Sequence, residues 1–284
     1  LKPVILGISG QRLLAQEREM LRAHAPRGVI LFGRNIENPA QLAELVAELR
    51  DALPADAVLM VDQEGGRVAR LRPPHWPPLG PAGEITSAQA AYAHGRALGA
   101  MVKAAGFDVA AAPVLDLRRP GASDVIGDRA LSDDPHIVAT LGLRLAEGII
   151  AEGVIPVMKH IPGHGRALVD SHVALPRVEA TDLSADFLPF AHCKNLPWAM
   201  TAHVIYAQYD PEFPATVSAK VIKDIIRGEI GFKGVLVSDD LAMQALRGTP
   251  AQRAQAALAA GCDIALYCPG DMAGNLAILE ALAP

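Results

Sequence analysis

Cysteine is scarce in this 284-residue chain: Cys193, Cys262 and Cys268 are an odd number without metal-ligand spacing. That argues against a disulfide framework and fits a reducing compartment. Positive charge is not in surplus. Lys and Arg number 26 against 31 Asp and Glu, for a formal net charge of −5, and the pI is near 6.0. A nucleic-acid or anionic-membrane surface needs clustered cations, so neither partner is expected. No apolar run approaches the roughly 20 residues of a membrane span. The opening Leu1-Lys2-Pro3 does not read as a secretory leader. The expected location is therefore the cytoplasm. A Gly-rich phosphate turn is missing too: Ser9-Gly10-Gln11 after the first apolar run is a poor match to G-x-G-x-x-G.

What is present is a large apolar content. The chain is 51% hydrophobic and 20% charged, enough for a full core. Short runs recur at Val4–Ile8, Val29–Phe32, Val58–Val61, Phe107–Ala111, Ile155–Met158, Trp198–Thr201, Val235–Val237 and Ile264–Tyr267. They are apolar on both faces, as parallel strands covered on both sides are. Helical patterns lie between them. Asn38-Pro39, Asp134-Pro135 and Thr249-Pro250 each pair an N-cap with proline at the first helical position. Gly106, Gly153 and Gly261 stand between helix and strand, where a left-handed cap is favoured. The segment 182–193 is ambiguous because Pro189 interrupts it. Eight strands alternating with helices predict a (β/α)8 TIM-type barrel, one domain over residues 1–284. An open doubly wound sheet is the alternative.

In a barrel of this kind chemistry belongs at the C-terminal strand ends. Those positions read Asp62-Gln63-Glu64-Gly65-Gly66-Arg67 with Arg70, then Asp116, Asp128 and Arg129, then Lys159-His160, His203, Ser238-Asp239-Asp240 and Cys268. The opposite ends carry small residues and turns. After Lys159-His160, Pro162, Gly163 and Gly165 force a loop that carries His164 and returns with Asp170 and His172. Each group has a bland reading: Asp62 and Asp239 as caps, Arg129 as a surface ion pair, His203 as a bonded core imidazole. His24, His75, His94, His136 and His192 fall on helices or outer loops and receive no role. Gathered at one mouth, the polar groups suit a neutral polyhydroxylated ligand. An aspartate at a strand end suits an oxocarbenium-like transition state. A carboxylate two residues from an imidazole, as in Asp170 and His172, can orient it for proton transfer. A metal-dependent hydrolase built on His160, His164, His203 and Asp239 is a rival, though His160 and His164 meet ligand spacing only across Pro162 and Gly163.

The chain resembles the bacterial β-N-acetylhexosaminidases of glycoside hydrolase family 3, the peptidoglycan-recycling type. The resemblance rests on Gly-Val-Ile-Leu-Phe-Gly-Arg-Asn at 28–35, Asp-Gln-Glu-Gly-Gly-Arg-Val at 62–68 and Val-Ile-Gly-Asp-Arg at 125–129. It continues in Lys-His-Ile-Pro-Gly-His-Gly at 159–165, Asp-Ser-His at 170–172, Thr-Ala-His-Val at 201–204 and Val-Ser-Asp-Asp-Leu-Ala-Met at 237–243. It implies a retaining mechanism with Asp239 as nucleophile and His172 as general acid/base, assisted by Asp170. It implies that Asp62, Arg70, Arg129, Lys159 and His160 bind a terminal N-acetylglucosamine. The implied substrate is GlcNAc β-1,4-linked to a 1,6-anhydro-N-acetylmuramoyl peptide, handled by a cytoplasmic monomer. No metal and no organic cofactor are implied. Amide participation by the substrate and phosphorolysis in place of hydrolysis remain variants of the same reading. Larger family members add a C-terminal domain, and the length here favours the one-domain type. Two departures stand out: Arg166, where relatives often carry an acidic residue, and the proline-rich stretch Pro73–Gly80.

Overall fold

Period-two alternation sorts the eight apolar runs into two cores. Side chains one residue apart on a strand point to opposite faces. In the computed structural model, Ile5, Met60, Val157, Val237 and Leu266 fill one buried cluster, while Val4, Leu59, Met158, Leu236 and Ala265 belong to another. The first is the barrel interior. The second is the layer between strands and helices. The structure describes residues 1–119, 121–122, 124–169 and 175–282.

The strands in chain order are β1 (Lys2–Gly7), β2 (Pro26–Leu31), β3 (Val58–Val61), β4 (Val109–Ala110), β5 (Ile155–Ile161), β6 (Arg177–Val178), β7 (Trp198–Thr201), β8 (Ile205–Tyr206), β9 (Val235–Asp240) and β10 (Ile264–Tyr267). All but β6 and β8 form a closed barrel in the order β1-β10-β9-β7-β5-β4-β3-β2. Every pairing in it is parallel, and Val4 opposite Ala265 closes the ring. The TIM-type expectation holds. β6 and β8 make a separate two-stranded ribbon on the loops.

The helices are α1 (Ala15–His24), α2 (Pro39–Ala52), α3 (Ala88–Ala104), α4 (Pro135–Ala151), α5 (Ser184–His192), α6 (Pro250–Ala260) and α7 (Met272–Ala281). A π-helical segment, Val221–Glu229, lies between β8 and β9 and buries Val221, Ile222, Ile225 and Ile226. The three predicted N-caps are made: Asn38 accepts from Gln41 N, Asp134 from His136 and Ile137 N, and Thr249 from Gln252 N. Gly106, Gly153 and Gly261 all have positive φ. The ambiguous 182–193 segment is helical despite Pro189. Asp182 steadies its start by accepting from Ser184 N at 2.9 Å. Among the described residues no helix is long and apolar enough to cross a membrane.

Two strands outrun their apolar pattern at the same end. β5 continues through Lys159, His160 and Ile161, and β9 through Ser238, Asp239 and Asp240. Backbone pairing persists there, but polar side chains have replaced the apolar ones. β4 is shorter than the Phe107–Ala111 run, although single backbone bonds to β3 and β5 continue on either side of it.

Candidate active site

The mouth is the next layer of the barrel interior. Met60, Val157 and Val237 face inward, so Asp62, Lys159 and Asp239, each two residues further on, face inward as well. The same step from Ile30 gives Phe32, and from Leu266 gives Cys268. All five line one cavity of about 170 Å³, together with Glu64, Arg70, Arg129, His160, Asp240, Met200 and Met243. Drug-sized ligands occupy pockets of about 300 Å³ or more. This one is the size for a single ring.

One wall is a buried ion network. Lys159 Nζ lies 3.1 Å from Asp62 Oδ1 and 2.6 Å from Glu64 Oε1. Arg70 donates to Asp62 Oδ2 at 3.2 Å. Arg129 grips Glu64 with two parallel bonds of 2.8 Å, from Nε and Nη2. Burial pushes the Asp62 carboxyl up, but Lys159 and Arg70 outweigh it and hold it well below the usual carboxylate range. Burial likewise raises Glu64, and Lys159 and Arg129 bring it down. Lys159 loses some basicity to burial and regains more from Asp62 and Glu64. The network is thus fully charged at neutral pH. Such a wall presents fixed acceptors and donors that hydroxyls can bridge without reorganisation.

Replacing Lys159 with methionine should expose how strongly the wall is coupled. Its side chain is only 3% exposed, and two carboxylates would lose their shared cation. Removing one member of a buried pair typically costs about 3–5 kcal/mol. Urea denaturation at neutral pH should show a loss of that size. A loss under about 1 kcal/mol would mean that Arg70 and Arg129 suffice.

A second buried carboxylate sets the neighbouring loop. Asp116, after β4, takes His160 N at 3.2 Å, His160 Nδ1 at 2.6 Å and His164 N at 2.6 Å. It raises no steric question about Gly165, but the backbone does: a Cβ there would sit 2.3 Å from the Leu117 carbonyl oxygen. Tyr206 OH donates to Gly163 O at 2.7 Å. Residues 160–167 are therefore held from three sides. Gly165 serves close packing, whereas Gly163 takes a positive φ of 136° that favours glycine. Burial first, then the charge of His160, draws His164 down to about 4, so its imidazole is neutral at pH 7. Asp170 and His172, on the continuation of this loop, lie outside the described residues.

The remaining wall comes from β7, β9 and β10. Asp239 N donates to Thr201 Oγ1 at 3.3 Å, and Asp239 Oδ1 accepts from Asp240 N at 2.8 Å. Asp240 is spent on structure: its Oδ1 accepts from Ala242 N and Cys268 N. Burial raises the Asp240 carboxyl, and Asp239 adds to that. His203 follows its bland reading. It is fully buried and bonded to Thr216 Oγ1 at 2.7 Å and to the Asp240 carbonyl at 2.9 Å. Burial lowers its pKa. Among the described residues no group of three or more His, Cys, Asp or Glu is arranged to hold a metal ion.

Of the residues singled out from the sequence, Asp62, Arg70, Arg129, Lys159, His160 and Asp239 converge on this cavity. Glu64 and Asp116 were visible but unassigned. Glu64 lies two residues past Asp62, on the same face, which was the available signal. His94 also contributes, with Nε2 at 3.1 Å from the Glu64 carbonyl. Arg34 could not be found from spacing: it bonds the carbonyls of Ile8 and Cys268, stitching the ring closed between β1 and β10. The departure at Arg166 has a partner, Asp186, at 2.7 Å. The proline-rich stretch packs Trp76 and Leu79 against the shell core.

Comparison with known proteins adds sequence and fold relatives. Residues 5–283 match the family model described as the glycosyl hydrolase family 3 N terminal domain. A β-hexosaminidase of Xylella fastidiosa strain M23 is 40% identical over 287 residues, covering 96% of this chain and 85% of that protein. One from Nitrosomonas eutropha is 43% identical over 283 residues, covering 94% and 81%. Among solved structures, NagZ from Neisseria gonorrhoeae in complex with N-trifluoroacetyl-D-glucosamine superposes with a TM-score of 0.90 at 35% identity, covering 99% of this chain and 85% of the other.

Proposed function

The chain belongs to glycosyl hydrolase family 3 as a glycosidase of the β-N-acetylhexosaminidase type, and from that premise we propose that it removes terminal non-reducing β-GlcNAc from peptidoglycan fragments by a retaining mechanism. The observation that carries the reading is one cavity for one ring, with Asp239 on one wall and the Asp62–Lys159–Glu64 network on another. The substrate is GlcNAc joined to a 1,6-anhydro-N-acetylmuramoyl peptide, and the protein acts in the cytoplasm as a monomer without metal or organic cofactor. The complex of the gonococcal relative with N-trifluoroacetyl-D-glucosamine supports an N-acylated glucosamine as the kind of ligand.

The mechanism is a double displacement. Asp62 and Arg70, with Lys159 and Arg129 behind them, fix the sugar hydroxyls, and His160 closes the same edge. The Asp239 carboxylate attacks the anomeric carbon. His172, held in register by Asp170, gives its proton to the departing oxygen. The bond from carbon to leaving group breaks as the Asp239 ester forms. Water then attacks the ester, His172 takes the water's proton, and the sugar leaves with its original configuration.

The substrate class is tested by comparing aryl β-GlcNAc with the matching aryl β-glucoside. A site shaped for the acetamido group should favour the former by about 100-fold or more in kcat/KM, since unpaired buried polar groups penalise the analogue. Equal rates would sink the N-acetylglucosamine reading. The same assay with and without inorganic phosphate separates hydrolysis from phosphorolysis by the product formed.

A further inference from the structure

A second pocket flanks the mouth. It has a volume of about 350 Å³ and is lined by Arg119, Arg166, Leu168, Arg177 and Glu179. It is built by the loops that follow β4 and β5 and by the ribbon strand β6. The loop after β4 also supplies Arg129 to the sugar cavity, and the end of β5 supplies His160. We propose that Arg119, Arg166 and Arg177 form a subsite for carboxylates of the leaving group, so that the enzyme prefers an acidic peptide-bearing aglycone. This rests on the glycosidase reading above and specifies its leaving-group side.

Three features carry the inference. The first is preorganisation. Asp186 is almost wholly buried, 3% exposed, and anchors Arg166 through Nε at 2.7 Å. Arg119 Nη2 reaches both Asp186 oxygens at 3.5 Å. Guanidinium groups held from behind lose little freedom when their outer nitrogens meet a ligand.

The second is unused donor capacity. Among the described residues the carboxylates near these arginines are Asp186, Asp182 and Glu179, and Asp182 is fully exposed. Glu179 pairs with Arg177 at 2.5 Å but is 70% exposed, so an exposed pair of this kind contributes little and yields readily. The Arg119 Nε is buried without a hydrogen-bond partner among the described residues. That donor and the weakly held Arg177 are open to a ligand, and a planar bidentate carboxylate is what a guanidinium fork fits.

The third is apolar surface beside the charge. Leu168 is 71% exposed at the pocket rim. Exposed leucine next to arginines suits a ligand with short aliphatic groups between carboxylates, as a small acidic peptide has. Arg166 follows directly on the His164-Gly165 turn at the end of β5.

The test compares two substrates: GlcNAc-anhydromuramoyl peptide with free carboxylates, and the same compound with its carboxylates converted to amides. Wild type should favour the acid by about tenfold or more in kcat/KM, through KM, and rising salt should erase the preference. Arg119→Gln should bring the two within about twofold and leave kcat on aryl β-GlcNAc within about twofold of wild type. Glu179→Gln, at an exposed position that cannot unfold the barrel, should increase the preference by freeing Arg177. Equal kcat/KM on acid and amide in wild type would overturn the proposal. So would an Arg119→Gln loss that is the same on the aryl glycoside. If aryl β-GlcNAc is not cleaved at all, the glycosidase reading fails and takes the subsite with it. Cleavage without acid preference removes the subsite alone.

Discussion

Asp239→Ala should lose about 10⁴-fold or more in kcat on an activated aryl β-GlcNAc, the scale on which removal of a nucleophile is felt. The expectation follows from position. Asp239 is the inward residue directly above Val237 on β9, and it opens into the single-ring cavity. An activated leaving group needs no proton, so no acid can compensate for a missing nucleophile. The fold should survive the change. Asp239 sits next to Asp240, whose carboxyl is already raised by burial and by its neighbour. Removing one of two adjacent carboxylates relieves repulsion, and functional residues commonly trade stability for activity in this way. Melting temperature should therefore hold or rise while turnover collapses. A 2-fluoro sugar offered to the wild type should leave an ester on Asp239. Inactivation without a modified Asp239 would favour participation by the substrate's own acetamide, with the carboxylate only polarising it.

His172→Ala should give a different signature, one that depends on the leaving group. For an aryl glycoside of low leaving-group pKa, bond cleavage proceeds nearly unaided, and only the second step needs a base. The variant should then show a burst of released phenol followed by slow turnover, as the glycosyl-enzyme accumulates. For a sugar leaving group, the first step needs the proton, and kcat/KM should fall by about 10²–10⁴. Azide requires no deprotonation to attack, so it should restore turnover on the aryl substrate and yield a β-glycosyl azide. Equal losses on good and poor leaving groups, with no azide rescue, would remove His172 from the acid/base role. Asp170→Asn should weaken both steps less severely, because it would alter the orientation and charge of the imidazole without removing it.

The two strand ends that exceed their apolar runs show how the sequence carries function. The hydrophobic pattern of β9 stops at Val237, and that of β5 at Met158, yet both backbones continue in the sheet. The polar residues that end the pattern are the ones that line the cavity. An apparent strand boundary followed by Lys-His or Ser-Asp-Asp was a site, not a turn. Gly165 has a use that its place in the loop does not reveal. Glycine gives a chain freedom, but it also lets two backbones touch, and only the nearby Leu117 carbonyl distinguishes the two uses.

By itself, the sequence determined the barrel, the mouth and the inward-facing aspartates and lysine. Those follow from local rules: caps, left-handed glycines and a two-residue repeat that carries Met60 to Asp62 and Val237 to Asp239 on one face. Only the tertiary structure decided who pairs with whom. Lys159 meets Asp62 across 97 positions, Arg129 meets Glu64 across 65, and Asp116 meets His160 across 44. Ion pairs of that kind leave no periodic trace, because the groups become neighbours only when the ring of strands closes. Closure also dehydrates them, and it is in that low-dielectric setting that their charges couple strongly enough to shape the site.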